Sequence, residues 1–87
     1  MAGQNPSNVL FIGDLSIFCT EKDLTDLFAG YGNVTEVKIM KSDDKGRSLS
    51  YGFVKFSDIA EASYAMNQLQ HKLLHGRHLR LGSYLSL

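Results

Sequence analysis

The chain is predicted to be an α+β domain in which two helices cover one face of a four-stranded antiparallel sheet. Three observations predict this. Two segments carry one apolar stripe each at helical spacing: Leu24, Leu27, Phe28 and Tyr31, then Ala62, Ala65, Met66 and Leu69. Four other segments alternate or run apolar as strands do. Their order is strand, helix, strand, strand, helix, strand.

Residues 1–7 are a polar lead-in, read as flexible. Residues 9–13 are a short apolar strand expected to end at Gly13-Asp14. Thr20 is a good N-cap for the first helix, with Asp23 three residues on as a variant of the capping box. Cys19 and Leu24 sit where a hydrophobic staple would, and Gly30 and Gly32 stop the helix. Residues 34–40 form the second strand. After it, Asp43-Asp44-Lys45-Gly46 is a turn signal. Residues 51–56 form the third strand, and Ser57 or Asp58 caps the second helix. Residues 70–77 read as a loop. A fourth strand follows, in which Leu79 and Leu81 alternate with His78 and Arg80. Residues 83–87 are left as a tail.

One stripe per helix means that both helices can lie on the same sheet face, leaving the other open. That arrangement is the ferredoxin-like split βαβ. In the third strand, Val54 and Phe56 then face the core, while Tyr51, Phe53 and Lys55 stand on the open face. Phe11 of the first strand belongs there too. Aromatic rings beside cations on an open sheet suit stacked bases next to a phosphate backbone.

Charge neither forbids nor demands that use. The 87 residues form one small domain of zero formal net charge, which predicts shallow salt dependence for any nucleic-acid binding. Acidic residues concentrate in and before the helices, while Lys38, Lys55 and Arg80 fall on strands, so a neutral chain can still present a basic face. The lone Cys19 excludes an internal disulfide and fits a reducing compartment. No apolar run approaches the roughly 18 residues of a membrane span, and no signal peptide is legible. The expectation is an intracellular domain, with nucleus and cytoplasm undistinguished.

The segment Leu49-Ser50-Tyr51-Gly52-Phe53-Val54-Lys55-Phe56 resembles the octamer of the RNA recognition motif (RRM), matching its last six places. Leu10-Phe11-Ile12-Gly13-Asp14-Leu15 resembles the family's shorter motif. The resemblance covers about residues 8–82. It implies strand order 4-1-3-2, and it places the family's stacking aromatics on Phe11, Tyr51 and Phe53. In that family, bases stack on the first two of these places and a ribose packs on the third, and the resemblance implies the same here. Leu49 and Ser50 depart from the pattern, supplying neither the usual leading base nor the usual glycine. Arg47, two residues upstream of Leu49, is the substitute candidate for phosphate contact. Asp14 stands where the family usually has Asn. Arg47 to Tyr51, with Ile12 to Leu15, is similar to the first RRM of poly(A)-binding proteins, which implies an adenine preference.

Lys38, Arg47, Lys55 and Arg80 are therefore the charged RNA-binding candidates, and Met40 and Tyr84 are further apolar ones. Tyr84 is otherwise read as part of a disordered tail. His71, His75 and His78 straddle a loop and a strand start, so they are read as solvated loop residues rather than zinc ligands. Phe18 and Tyr64 are expected to pack on loops or helix flanks. No catalytic grouping is legible: Gly13 to Thr20 has neither the Arg of an acylphosphatase nor the Cys-x-x-Cys of a metal carrier. The expected function is single-stranded RNA binding without catalysis or cofactor, with single-stranded DNA as a second ligand. The alternative is a protein-interaction module using the helical face or the sheet. The chain is expected to be a monomer and is open to being part of a longer protein.

Overall fold

The computed structural model describes residues 7–41 and 49–84. Its elements are β1 (Val9–Ser16), α1 (Glu21–Phe28), β2 (Val34–Lys41), β3 (Leu49–Phe56), α2 (Ile59–Leu69), β4 (Leu73–Leu74), β5 (Arg77–His78) and β6 (Arg80–Ser83). The main sheet is antiparallel in the order β2-β3-β1-β6, the ferredoxin-like order 4-1-3-2 with β6 as the fourth strand. The core lies between one sheet face and the helices. Leu10, Ile12, Leu15, Val54, Phe56 and Leu81 meet Leu24 and Phe28 of α1 and Ala62, Ala65 and Leu69 of α2. Phe28 and Phe56 close its centre edge to face at 6.1 Å.

Both helix starts follow from their caps. Thr20 accepts from the Asp23 N–H, and the Asp23 carboxylate accepts from the Thr20 N–H, so two otherwise orphaned donors are satisfied. The Asp58 side chain caps α2 by accepting from the Glu61 N–H. Ser57 instead donates to the Glu61 carboxylate, which also accepts from the Asn33 N–H and so ties the entry of β2 to α2.

The first strand does not end at Gly13-Asp14. It continues to Ser16 through a bulge: Ile12 pairs with Gly52 and Leu15 with Ser50, so two β1 residues oppose Tyr51 alone. Asp14 takes the left-handed conformation at φ 59°, which Asp tolerates better than most residues. The extra residue switches the alternation, which is why Leu15 is buried rather than exposed. The third strand likewise begins at Leu49, two residues earlier than the alternation suggested.

Residues 70–77 are not simply a loop. β4 and β5 form a small hairpin whose tip is His75-Gly76, at φ 50° and 77°. Positive φ at both positions is the signature of a type I′ turn, and Gly76 supplies the second at no steric cost. His75 is engaged rather than simply solvated: its Nε2 lies 2.8 Å from Asp23 Oδ2. The His78 Nδ1 lies 3.0 Å from the His71 carbonyl oxygen. The Thr20 N–H and then the His75 ring hold the Asp23 carboxyl below the usual carboxylate range.

Ser7 and Tyr84 are more tightly held than the sequence suggested. Tyr84 N–H donates to the Val9 carbonyl, one residue past β6. Ser7 Oγ donates to the Tyr84 carbonyl at 2.6 Å and accepts from the Val9 N–H. Ser7 and Tyr84 thus belong to the fold rather than to a lead or a tail. Phe18 does not pack as expected, being 75 % exposed between β1 and α1. Tyr64 is also exposed and meets the Tyr31 ring at 6.0 Å.

Candidate nucleic-acid interface

Pairing across the sheet arranges the open face in three rows. One end carries Met40, Tyr51, Gly13 and Arg80 from β2, β3, β1 and β6. The middle row is Lys38, Phe53, Phe11 and Gly82. The other end is Glu36, Lys55 and Val9, with Tyr84 beside Val9. Phe11, Tyr51 and Phe53 therefore come together. Their ring centroids are 5.9 Å apart for Phe11–Tyr51, 5.7 Å for Phe11–Phe53 and 6.1 Å for Tyr51–Phe53. Tyr51 is 44 % exposed, and Phe11 and Phe53 are half-buried by one another and by their neighbours.

Backbone crowding beneath the platform explains Gly52. A Cβ there would sit 2.6 Å from the Lys38 carbonyl oxygen, so any side chain would push β2 and β3 apart. Gly13 has a different role. A Cβ on it would lie 3.2 Å from both the Arg80 guanidinium and the Phe11 ring, so its absence lets Arg80 lie close over the strand.

Arg80 is not a free cation. Its Nε is 3.2 Å from Asp14 Oδ2, with the two side chains 66 % and 40 % exposed. The bulge that buries Leu15 also sets Asp14 on this side, so the unusual Asp becomes the tether of the arginine. An ion pair this exposed contributes only about 0–1 kcal/mol, and a phosphate can displace it. Lys38 and Lys55 flank Phe53 and make no ion pair among the described residues. Met40 is 37 % exposed at the sheet edge, opposite Tyr51. Arg47 and the turn signal at 43–46 lie outside the described residues. Ser50, at the family's glycine place, is buried, and its hydroxyl has no hydrogen-bond partner among the described residues.

Tyr84 is the residue that sequence reasoning placed in a tail. Its ring lies 4.7 Å from Phe53 at an interplanar angle of 58°, having crossed over Val9. Beside this ring pair opens a groove of about 150 Å³ lined by Val9, Glu36, Lys38, Phe53, Lys55 and Tyr84. Glu36 was not singled out from the sequence. The available signal was its alternation with Lys38 and Met40, which places all three on one face.

The RNA recognition motif model matches residues 10–80, spanning both aromatic strands and both helices. The chain belongs to the RNA recognition motif family. It is 40 % identical over 75 residues to glycine-rich RNA-binding protein 2, mitochondrial, of Arabidopsis thaliana, covering 86 % of this chain and 48 % of that protein. It is 40 % identical over 73 residues to probable RNA-binding protein 23 of Homo sapiens, covering 84 % of this chain and 17 % of that one. This RRM chain thus spans about half or less of these relatives. Among solved structures, the Rna15 RRM with bound RNA (GU) superposes with TM-score 0.79 at 31 % identity, covering 93 % of this chain and 86 % of that one. The second RRM of yeast poly(U)-binding protein Pub1 gives 0.78 at 31 % identity, covering 93 % and 98 %.

Proposed function

We propose that this RRM binds single-stranded RNA across the open face of its sheet and catalyses no reaction. The observation that carries the reading is the three-ring platform of Phe11, Tyr51 and Phe53, which the helices leave uncovered. Every base has an apolar face, and each stack on an aromatic is worth about 1–3 kcal/mol. Lys38, Lys55 and Arg80 stand around the rings where a backbone passing over them would bring its phosphates. Relatives carrying RNA-binding in their names, and a solved neighbour with bound RNA, support the same ligand class. The rings accept single-stranded DNA as well, which lacks only the hydrogen bonds that a 2′-hydroxyl can make. The chain acts as a monomeric, intracellular module, and the relatives' greater lengths fit its use within longer proteins.

The experiment is a titration with short unstructured RNAs, followed by backbone amide shifts. Amides of residues 9–13, 51–55 and 78–82 are expected to move, with micromolar or weaker affinity. Silence of those amides at millimolar RNA overturns the reading.

A further inference from the structure

We infer that the groove beside the Phe53–Tyr84 ring pair is a base-reading subsite selective for guanine, with Glu36 as the specificity-determining residue. The inference rests on the proposed RNA-binding reading and extends it to base identity at one position. The groove's volume of about 150 Å³ is below the range of drug-like pockets, and it matches a single planar base rather than a larger ligand. Its walls are apolar: Phe53, Tyr84 and Val9. Its polar equipment is one carboxylate and two ammonium groups, from Glu36, Lys38 and Lys55.

Those charges are placed by the sheet. Glu36 is the cross-strand partner of Lys55 and lies two residues before Lys38 on the same strand face. Among the described residues none of the three makes an ion pair or a side-chain hydrogen bond. Their hydrogen-bonding capacity is therefore available to a ligand. A carboxylate accepts only, and an ammonium donates only. A base that enters the groove displaces water from the carboxylate, and each oxygen then needs a new donor.

Single-stranded bases expose their Watson–Crick edges to such groups. Guanine alone among the four presents two parallel donors there, N1–H and the N2 amino group, which satisfy both Glu36 oxygens. Its O6, and N7 behind it, are acceptors for Lys38 or Lys55. Adenine and cytosine each offer one amino donor, and uracil one imino donor, leaving one oxygen of Glu36 to water. The adenine preference implied by the resemblance to poly(A)-binding proteins rests on residues 12–15 and 47–51, none of which lines this groove.

The test uses the full chain and four fluorescently labelled octamers: alternating uridine–guanosine, uridine–adenosine, uridine–cytidine and uridine–inosine. Inosine keeps N1–H and O6 but lacks the N2 amino group. Wild type is expected to bind the guanosine octamer about tenfold more tightly than the adenosine or cytidine ones. The inosine octamer is expected to fall between them. Glu36→Gln adds a net positive charge, so its readout is the ratio between RNAs rather than affinity itself. That ratio is expected to collapse toward one. Lys38→Met serves as a second variant and is expected to reduce the guanosine advantage without abolishing it. Equal wild-type affinities, or a guanosine advantage untouched by Glu36→Gln, overturn the guanine inference while leaving stacking intact. Failure of every octamer to bind at millimolar concentration overturns the RNA-binding reading, and this inference with it.

Discussion

Replacing Tyr51 by alanine removes one ring of the platform and leaves the core side of β3 untouched. The ring is 44 % exposed and meets Phe11 and Phe53 at 5.9 and 6.1 Å. Removing those edge and tilted ring pairs costs the fold about 1 kcal/mol, within the usual range for aromatic pairs. At about 2.1 cal/mol/K per residue, the 87 residues give an unfolding entropy near 180 cal/mol/K. One kcal/mol then lowers Tm by about 5–6 °C. The stacking loss is larger in effect: about 1–3 kcal/mol, or roughly a 5- to 150-fold rise in Kd. Fluorescence anisotropy with a labelled single-stranded octamer, at least 15 °C below the variant's melting point, separates the two effects. Phe18→Ala is the control, because that ring is 75 % exposed yet lies between β1 and α1, off the sheet. A folded Tyr51→Ala variant that binds within about twofold of wild type would refute the platform.

Three further outcomes are expected. Gly52→Ala forces a Cβ to within 2.6 Å of the Lys38 carbonyl and should destabilise the domain by about 1–3 kcal/mol in urea unfolding. Arg80→Ala should weaken RNA binding similarly across sequences and shrink the slope of log K against log salt by about 0.7, the increment for one single-strand phosphate contact. Asp23 sits below the usual carboxylate range when folded, so the unfolded chain takes up its proton first as pH falls. Its contribution to stability is therefore full above the ordinary carboxylate pKa and declines below about pH 4. Asp23→Ala should flatten that part of the stability–pH curve in thermal melts.

Much of the architecture was legible because burial imposes a period. One apolar stripe on each helix sufficed to place both on one sheet face, and alternation from Tyr51 to Phe56 sorted rings from core. The capping signals at Thr20 and Asp58 are local and were readable for the same reason: a cap needs only residues three apart. The His75-Gly76 hairpin was missed although its turn chemistry was present. Its strands are two residues each, too short for alternation to register.

By itself, then, the sequence determined the element order, the covered and open faces, and the three rings that share the open one. Each follows from short-range periodicity and one facing rule. Tertiary structure alone decided three things that depend on register between distant strands. The bulge at Gly13-Asp14 appears only when β1 is paired with β3, and it carries Leu15 inward and Asp14 toward Arg80. Tyr84 is drawn out of the tail because its N–H meets the Val9 carbonyl and its ring finds Phe53 across Val9. Glu36 comes beside Lys55 only through the pairing of β2 with β3. Cross-strand register joins residues far apart in the chain, and no local pattern of side chains encodes which carboxylate will stand beside which ring.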